Sequence, residues 1–128
     1  MLISNADSEH ELTIDFNEGS YILYFGVHHE HYNSKDETDE LLRTIDDILN
    51  DCKCVISISY NQEEKPHYLG SQLISPEQAL NTPVEELFDF IFKIPEFRKK
   101  IKRFGGKAHI QFWDPSMDRT IVVEPGKN

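Results

Sequence analysis

Cysteine is nearly absent from this chain, which has only Cys52 and Cys54, in DCKCV. Two residues apart on a strand, their Cβ atoms lie roughly 6 to 7 Å apart, well beyond the roughly 3.8 Å of a disulfide. Reduced thiols are therefore expected. A single CxC also supplies only two zinc ligands, and a zinc site needs convergent partners. Long apolar runs are missing as well, so no segment has the length of a membrane span. The opening residues MLISNADSEHE have neither the basic segment nor the apolar run of a signal peptide, and a cytoplasmic location is the expectation. Gly105-Gly106 lacks the spacing and the lysine-hydroxyl pair of a phosphate loop. Ser71, in LGSQ, lacks the flanking glycines of a nucleophile elbow.

Positive charge is scarce in one half of the chain. Residues 1 to 64 carry 15 acids against 3 bases, net -12, and residues 65 to 128 carry 8 acids against 10 bases, net +2, giving the overall -10. Such a surface opposes general nucleic-acid binding and favours a basic protein partner, because opposite fields accelerate encounter and pairing sets orientation. At 128 residues the chain is expected to form a single domain, burying roughly two thirds of its extended surface.

Hydrophobic spacing gives the order of elements. HELTIDF (His10 to Phe16) and SYILYFGVHHEHY (Ser20 to Tyr32) read as two strands around Asn17-Glu18-Gly19, with Leu12, Ile14 and Phe16 alternating. Ser34 and Glu37 fit a capping box for a helix from about Lys35 to Asn50, with Leu41, Leu42, Ile45, Ile48 and Leu49 inward. Cys54, Ile56, Ile58 and Tyr60 share one face of a third strand, and His67 to Ser75 returns as a fourth after the turn NQEEKP. Ser75-Pro76-Glu77-Gln78 starts a short helical turn ending near Asn81. Thr82, Pro83 and Glu85 then mark a helix start, with Leu87, Phe88, Ile91 and Phe92 as its apolar face. Pro95 divides the continuing stripe of Ile94, Phe97, Ile101 and Phe104, which Gly105-Gly106 ends. KAHIQFW and RTIVVE, joined by DPSMD, close the chain as a hairpin. The expected fold is α+β, one antiparallel or mixed sheet in the order β-β-α-β-β-α-β-β with the helices on one face.

Three histidines fall in GVHHEHYNS. In one continuous strand His29 and His31 share the side of Leu23, Phe25 and Val27, while His28 and Glu30 share that of Tyr24 and Gly26. The HxH pair can begin a metal site only if Cys52, Cys54, His67 or an acidic group converges on it. The other reading is a polar strand end. No catalytic residue, metal or cofactor is assigned.

The first helix is apolar inward and acidic outward through Asp36, Asp39, Glu40, Asp46 and Asp47, with Glu30, Asp51, Glu63 and Glu64 in adjoining segments. Such a cluster repels itself and suits a positively charged surface that must be covered. The basic run RKKIKRFGGK (Arg98 to Lys107) offers a phosphate-binding patch beside Phe97 and Phe104. The plainer reading is a polar helix face with aromatic core anchors, so nucleic acid is an unlikely partner on this pattern.

Over GVHHEHYNSKDETDELLRTIDDIL, about a fifth of the chain, and in size and strand-helix organisation, the protein resembles the small acidic immunity proteins encoded beside bacterial polymorphic or contact-dependent toxins. The resemblance implies binding and blocking of one toxin's catalytic domain, often a nuclease with a basic cleft. The partner-binding residues expected on this reading are Glu30, His31, Tyr32, Asp36, Asp39, Glu40, Asp46 and Asp47, with His31 and Tyr32 as less hydrated anchors. The alternatives are a small metal-assisted hydrolase using His29 and His31, and a homo-oligomeric module, a homodimer for example, in which the acidic helix of one copy meets the basic segment of another.

Overall fold

The alternating apolar positions build two four-stranded antiparallel sheets. The computed structural model describes residues 1–5, 10–62 and 65–126. Sheet 1 runs β1-β2-β3-β4, from β1 (Leu2–Ser4), β2 (Glu11–Asn17), β3 (Ser20–Phe25) and β4 (His28–Asn33). Sheet 2 has the order β6-β5-β7-β8, from β5 (Cys54–Gln62), β6 (Lys65–Ile74), β7 (Gly106–Gln111) and β8 (Arg119–Val123). Helix α1 (Thr38–Leu49) connects the sheets, and α2 (Pro76–Asn81), α3 (Val84–Leu87), α4 (Asp89–Phe92) and α5 (Pro95–Phe104) lie between β6 and β7. The fold is α+β, as expected, but with two sheets in place of one and with helices in two separate layers.

Two strands are additional to the expected six: β1, which pairs with β2, and β4, which arises at Gly26. SYILYFGVHHEHY is not one strand, because Gly26 takes φ +61 and turns the chain so that Phe25 pairs with His28. A Cβ at Gly26 would collide with the Gln111 side chain of β7, so glycine both permits the turn and lets it approach sheet 2. The reversal changes the faces. Register pairs Leu23 with Glu30 and Tyr21 with Tyr32, which puts His28, Glu30 and Tyr32 on the inner face and His29 and His31 on the outer one. The preceding hairpin turns tightly at Glu18 (φ 49) and Gly19 (φ 82), as its sequence indicated. Phe16 is 63% exposed beyond the covered part of the sheet, against Tyr21.

Two cores follow from strand parity. Cys54, Ile56 and Ile58 face α2 to α5 and join Leu87, Phe88, Ile91, Ile101, Ile110 and Phe112. Val55 points the other way and joins Leu12, Ile14, Leu23, Phe25 and Tyr32 of sheet 1 with Leu41, Ile45 and Ile48 of α1. Its register partner Leu73 packs at the margin of that second core. The helices α2 to α5 therefore cover one face of sheet 2, while α1 packs on the inner side of sheet 1.

Local capping explains the other differences. Helix α1 begins at Thr38 because Asn33, not Ser34, organises its entry. The Asn33 Oδ1 accepts from the Lys35 N–H at 2.8 Å, and the Glu37 carboxylate accepts from the Asn33 N–H at 2.9 Å. Ser75 and Gln78 form the capping box that starts α2 at Pro76. Thr82 instead ends α2 in extended backbone, and Pro83 precedes α3 without a side-chain cap, so the expected second helix is broken into short α3 and α4 before Pro95 opens α5. The Glu63-Glu64 turn lies outside the described residues.

Candidate functional site

The reversal at Gly26 buries His28, only 7% exposed, and gives it two partners. Its Nε2 lies 2.8 Å from Glu30 Oε1, and its Nδ1 lies 2.7 Å from Ser71 Oγ on β6. The Glu30 carboxylate can only accept, so in the neutral ring Nε2 carries the proton and Nδ1 accepts from the Ser71 hydroxyl. Ser71 Oγ accepts in turn from the Tyr68 hydroxyl at 2.8 Å. This chain joins sheet 1 to sheet 2.

A serine, a histidine and a carboxylate in hydrogen-bond sequence also meet the first geometric condition for nucleophilic catalysis. Here Tyr68 occupies a lone pair of the serine oxygen, and the three surface hollows described below are lined by other residues. The arrangement satisfies a buried imidazole and ties two strands. Sequence reading placed His28 outward because it assumed one unbroken strand, and it set Ser71 aside because LGSQ lacks the glycines of a nucleophile elbow.

His29 and His31 stand on the open outer face of sheet 1, their rings 5.3 Å apart and near perpendicular, with Tyr24 6.1 Å from His29. Cys54 points into the first core with its Sγ–H toward the Ile74 carbonyl, and burial pushes its thiol pKa up to about 12. Cys52 is exposed, and His67 stacks on Tyr60 at 5.0 Å. Among the described residues no group of three or more His, Cys, Asp or Glu side chains could hold a metal ion.

The acidic face of α1 is rigidly placed. Leu41, Ile45 and Ile48 fix the helix in the second core, and Tyr32 donates its hydroxyl to Thr44 Oγ1 at 3.1 Å. Tyr32 is 7% exposed, and burial raises its pKa above the ordinary tyrosine value, against the smaller opposing effect of that hydrogen bond. It thus belongs to the support of the helix and not to its outer surface. Asp36, Asp39, Glu40 and Asp46 are exposed, Asp47 is half-buried, and His31 is exposed beside them in sequence. Glu30 is half-buried in its bond to His28. Among the described residues no Lys or Arg forms an ion pair with any of these carboxylates. Between Asp39 and Asp46 along the outer face, three and four residues away, sits Leu42, 57% exposed. Helical spacing puts all three on one side. The sequence pattern had counted Leu42 with the core, since it stands at helical spacing from Ile45 and Leu49.

A polar groove lies where the sheets meet. One hollow of about 410 Å³ is lined by His10, His109, Asp118 and Arg119 among others, and a second of about 250 Å³ shares His10 and Gln111 with it. His10 Nε2 is 3.2 Å from Asp118 Oδ2, while Asp118 Oδ1 accepts from the Phe112 N–H at 2.8 Å. Contacts from residue 10 to residue 118 leave no signal in local spacing. A third hollow lies between Asn5 and the segment from Trp113 to Ser116.

These features define a two-sheet α+β protein with one acidic helical surface. No protein family, curated protein or solved structure matches the chain. Among the described residues no helix is long and apolar enough to cross a membrane.

Proposed function

We propose that the protein is a non-catalytic inhibitor of the immunity type, which uses the outer face of α1 to cover a basic surface on a protein partner such as a toxin nuclease domain. The observation that carries this reading is the row of exposed carboxylates, Asp36, Asp39, Glu40 and Asp46, with no cationic partner among the described residues. A helix anchored by a core presents charge with little ordering cost on binding. Leu42 supplies an apolar centre within a charged rim, the usual anatomy of a binding patch. Tyr32 supports the patch from beneath, whereas Glu30 is engaged by His28 and His31 lies on the opposite face of sheet 1.

Affinity capture from native lysate tests the proposal. Wild-type bait should retain a basic protein in stoichiometric amount, and the Asp39→Lys/Asp46→Lys variant, folded by circular dichroism, should lose it. Recovery of no basic partner together with stoichiometric metal binding would overturn the reading in favour of a metal-dependent activity at His29 and His31.

A further inference from the structure

The far side of sheet 2 carries a second arrangement that the α1 reading does not use. Tyr60 of β5 and His67 of β6 are register partners, with rings 5.0 Å apart and 14° from parallel. Phe104, the last residue of α5, lies on Tyr60 at 5.8 Å and 24°. The helix reaches this position because Gly105 ends it at φ +77 and Gly106 lets it pack close. A Cβ at Gly106 would meet Ile101 Cδ1 at 2.6 Å. Three elements thus bring three rings into one near-parallel stack.

Cations rim the stack. Lys100 Nζ is 5.8 Å from the Tyr60 ring centre and 5.7 Å from that of Phe104, and the Arg103 guanidinium is 5.1 Å from Phe104. Lys99 and Lys102 are exposed on the same helix. Among the described residues none of these cations pairs with a carboxylate. Within the stack Tyr60 is flanked on both sides, Phe104 carries Arg103, and His67 is the exposed end ring.

We propose that this ridge binds single-stranded nucleic acid, with a base stacking on His67 and the phosphates following Lys99, Lys100 and Arg103. Stacking on an aromatic platform beside cations accepts any base with a free face and is strongly salt-dependent. Polyphosphate or an acidic peptide, including α1 of a second copy, would engage the cations and leave the His67 ring unused. The net charge of -10 does not prevent local binding, because α1 and α5 pack in the two cores on opposite faces of sheet 2.

The test is fluorescence anisotropy of a labelled oligothymidylate of about ten nucleotides at low and physiological salt, against the same length of duplex. The full-length protein should bind the single strand in preference to the duplex. His67→Ala should weaken binding about tenfold with the salt dependence unchanged, and His67→Phe should restore it. Lys100→Gln should weaken binding and flatten the salt dependence. His67 is exposed, and unchanged thermal melting of its variants separates lost contact from lost fold. Absence of saturable binding at low salt would overturn the proposal. So would equal binding by wild type and His67→Ala with complete competition by polyphosphate or by a peptide of residues 36–47, which would mark a charge patch without a base site.

Discussion

Helices α1 and α5 are built alike and finished differently. Each buries one apolar stripe, α1 through Leu41, Ile45 and Ile48 and α5 through Ile101 with Phe97 at the margin. Arg98, Lys100 and Arg103 of α5 lie over the rings of Phe92, Tyr60 and Phe104, whereas the carboxylates of α1 face solvent beside an exposed leucine. Charge that is accommodated within the fold contributes to stability, and charge left without a partner is available to another molecule. The difference therefore lies in how each helix carries its charge: Lys100 and Arg103 of α5 rest on rings of the fold, and the carboxylates of α1 have no such contact among the described residues.

The largest expected effects test whether the two layers are one folding unit. Ile48→Ala in the second core and Ile101→Ala in the first should each lower stability by about 2 to 5 kcal/mol. Because Val55 of sheet 2 completes the second core, denaturant unfolding monitored by Trp113 fluorescence and by circular dichroism should give one coincident transition in both variants. Separate transitions would show two independent units.

Severing the link between layers should cost less. Ser71→Ala leaves the buried His28 nitrogen without its hydroxyl partner, an expected loss of about 1 to 3 kcal/mol. Urea denaturation measures it, and an unchanged midpoint would show that the sheets are held without the bond.

Alkaline pH probes the first core. Burial raises the Cys54 pKa from 9.0 to about 12, so the unfolded state loses this proton first. The stabilisation from keeping the thiol neutral is complete below about pH 9 and is lost as pH rises toward 12, by up to about 1.4 kcal/mol per pH unit. Cys54→Ala should show a shallower decline between pH 9 and pH 11, by denaturation at each pH.

The smallest effects bear on the comparison itself. Arg103→Gln should destabilise by about 0.5 to 1 kcal/mol through its lost ring contact, whereas Asp39→Asn should stay within about 0.5 kcal/mol of wild type. Thermal melts of the pair decide it. Equal losses would mean that the α1 carboxylates serve the fold after all.

Local chemistry made much of this architecture readable. Ser75-Pro76 and Gln78 announced α2, Glu18-Gly19 announced the first hairpin turn, and the alternation from Cys54 to Ile58 identified the face of β5 that meets the helices. The acidic face of α1 was equally visible. What failed was long-range or rested on a single backbone angle. Gly26 within a run of thirteen residues was a usable warning, since strands are usually shorter and an interior glycine often marks a bend. Missing that bend inverted the histidines and concealed the contact between His28 and Ser71, 43 positions apart. Leu42 was misplaced because its helical spacing from Ile45 and Leu49 sets it at the edge of the same apolar stripe, which the second core does not reach.

The most direct measurement of the account is titration of the captured partner with wild-type protein and with Asp39→Asn/Asp46→Asn at increasing salt. The account predicts that wild-type binding weakens steeply with salt and that the variant binds more weakly with a flatter dependence. Identical affinities and identical salt dependence would contradict it, because the uncompensated carboxylates of α1 would then have no part in recognition.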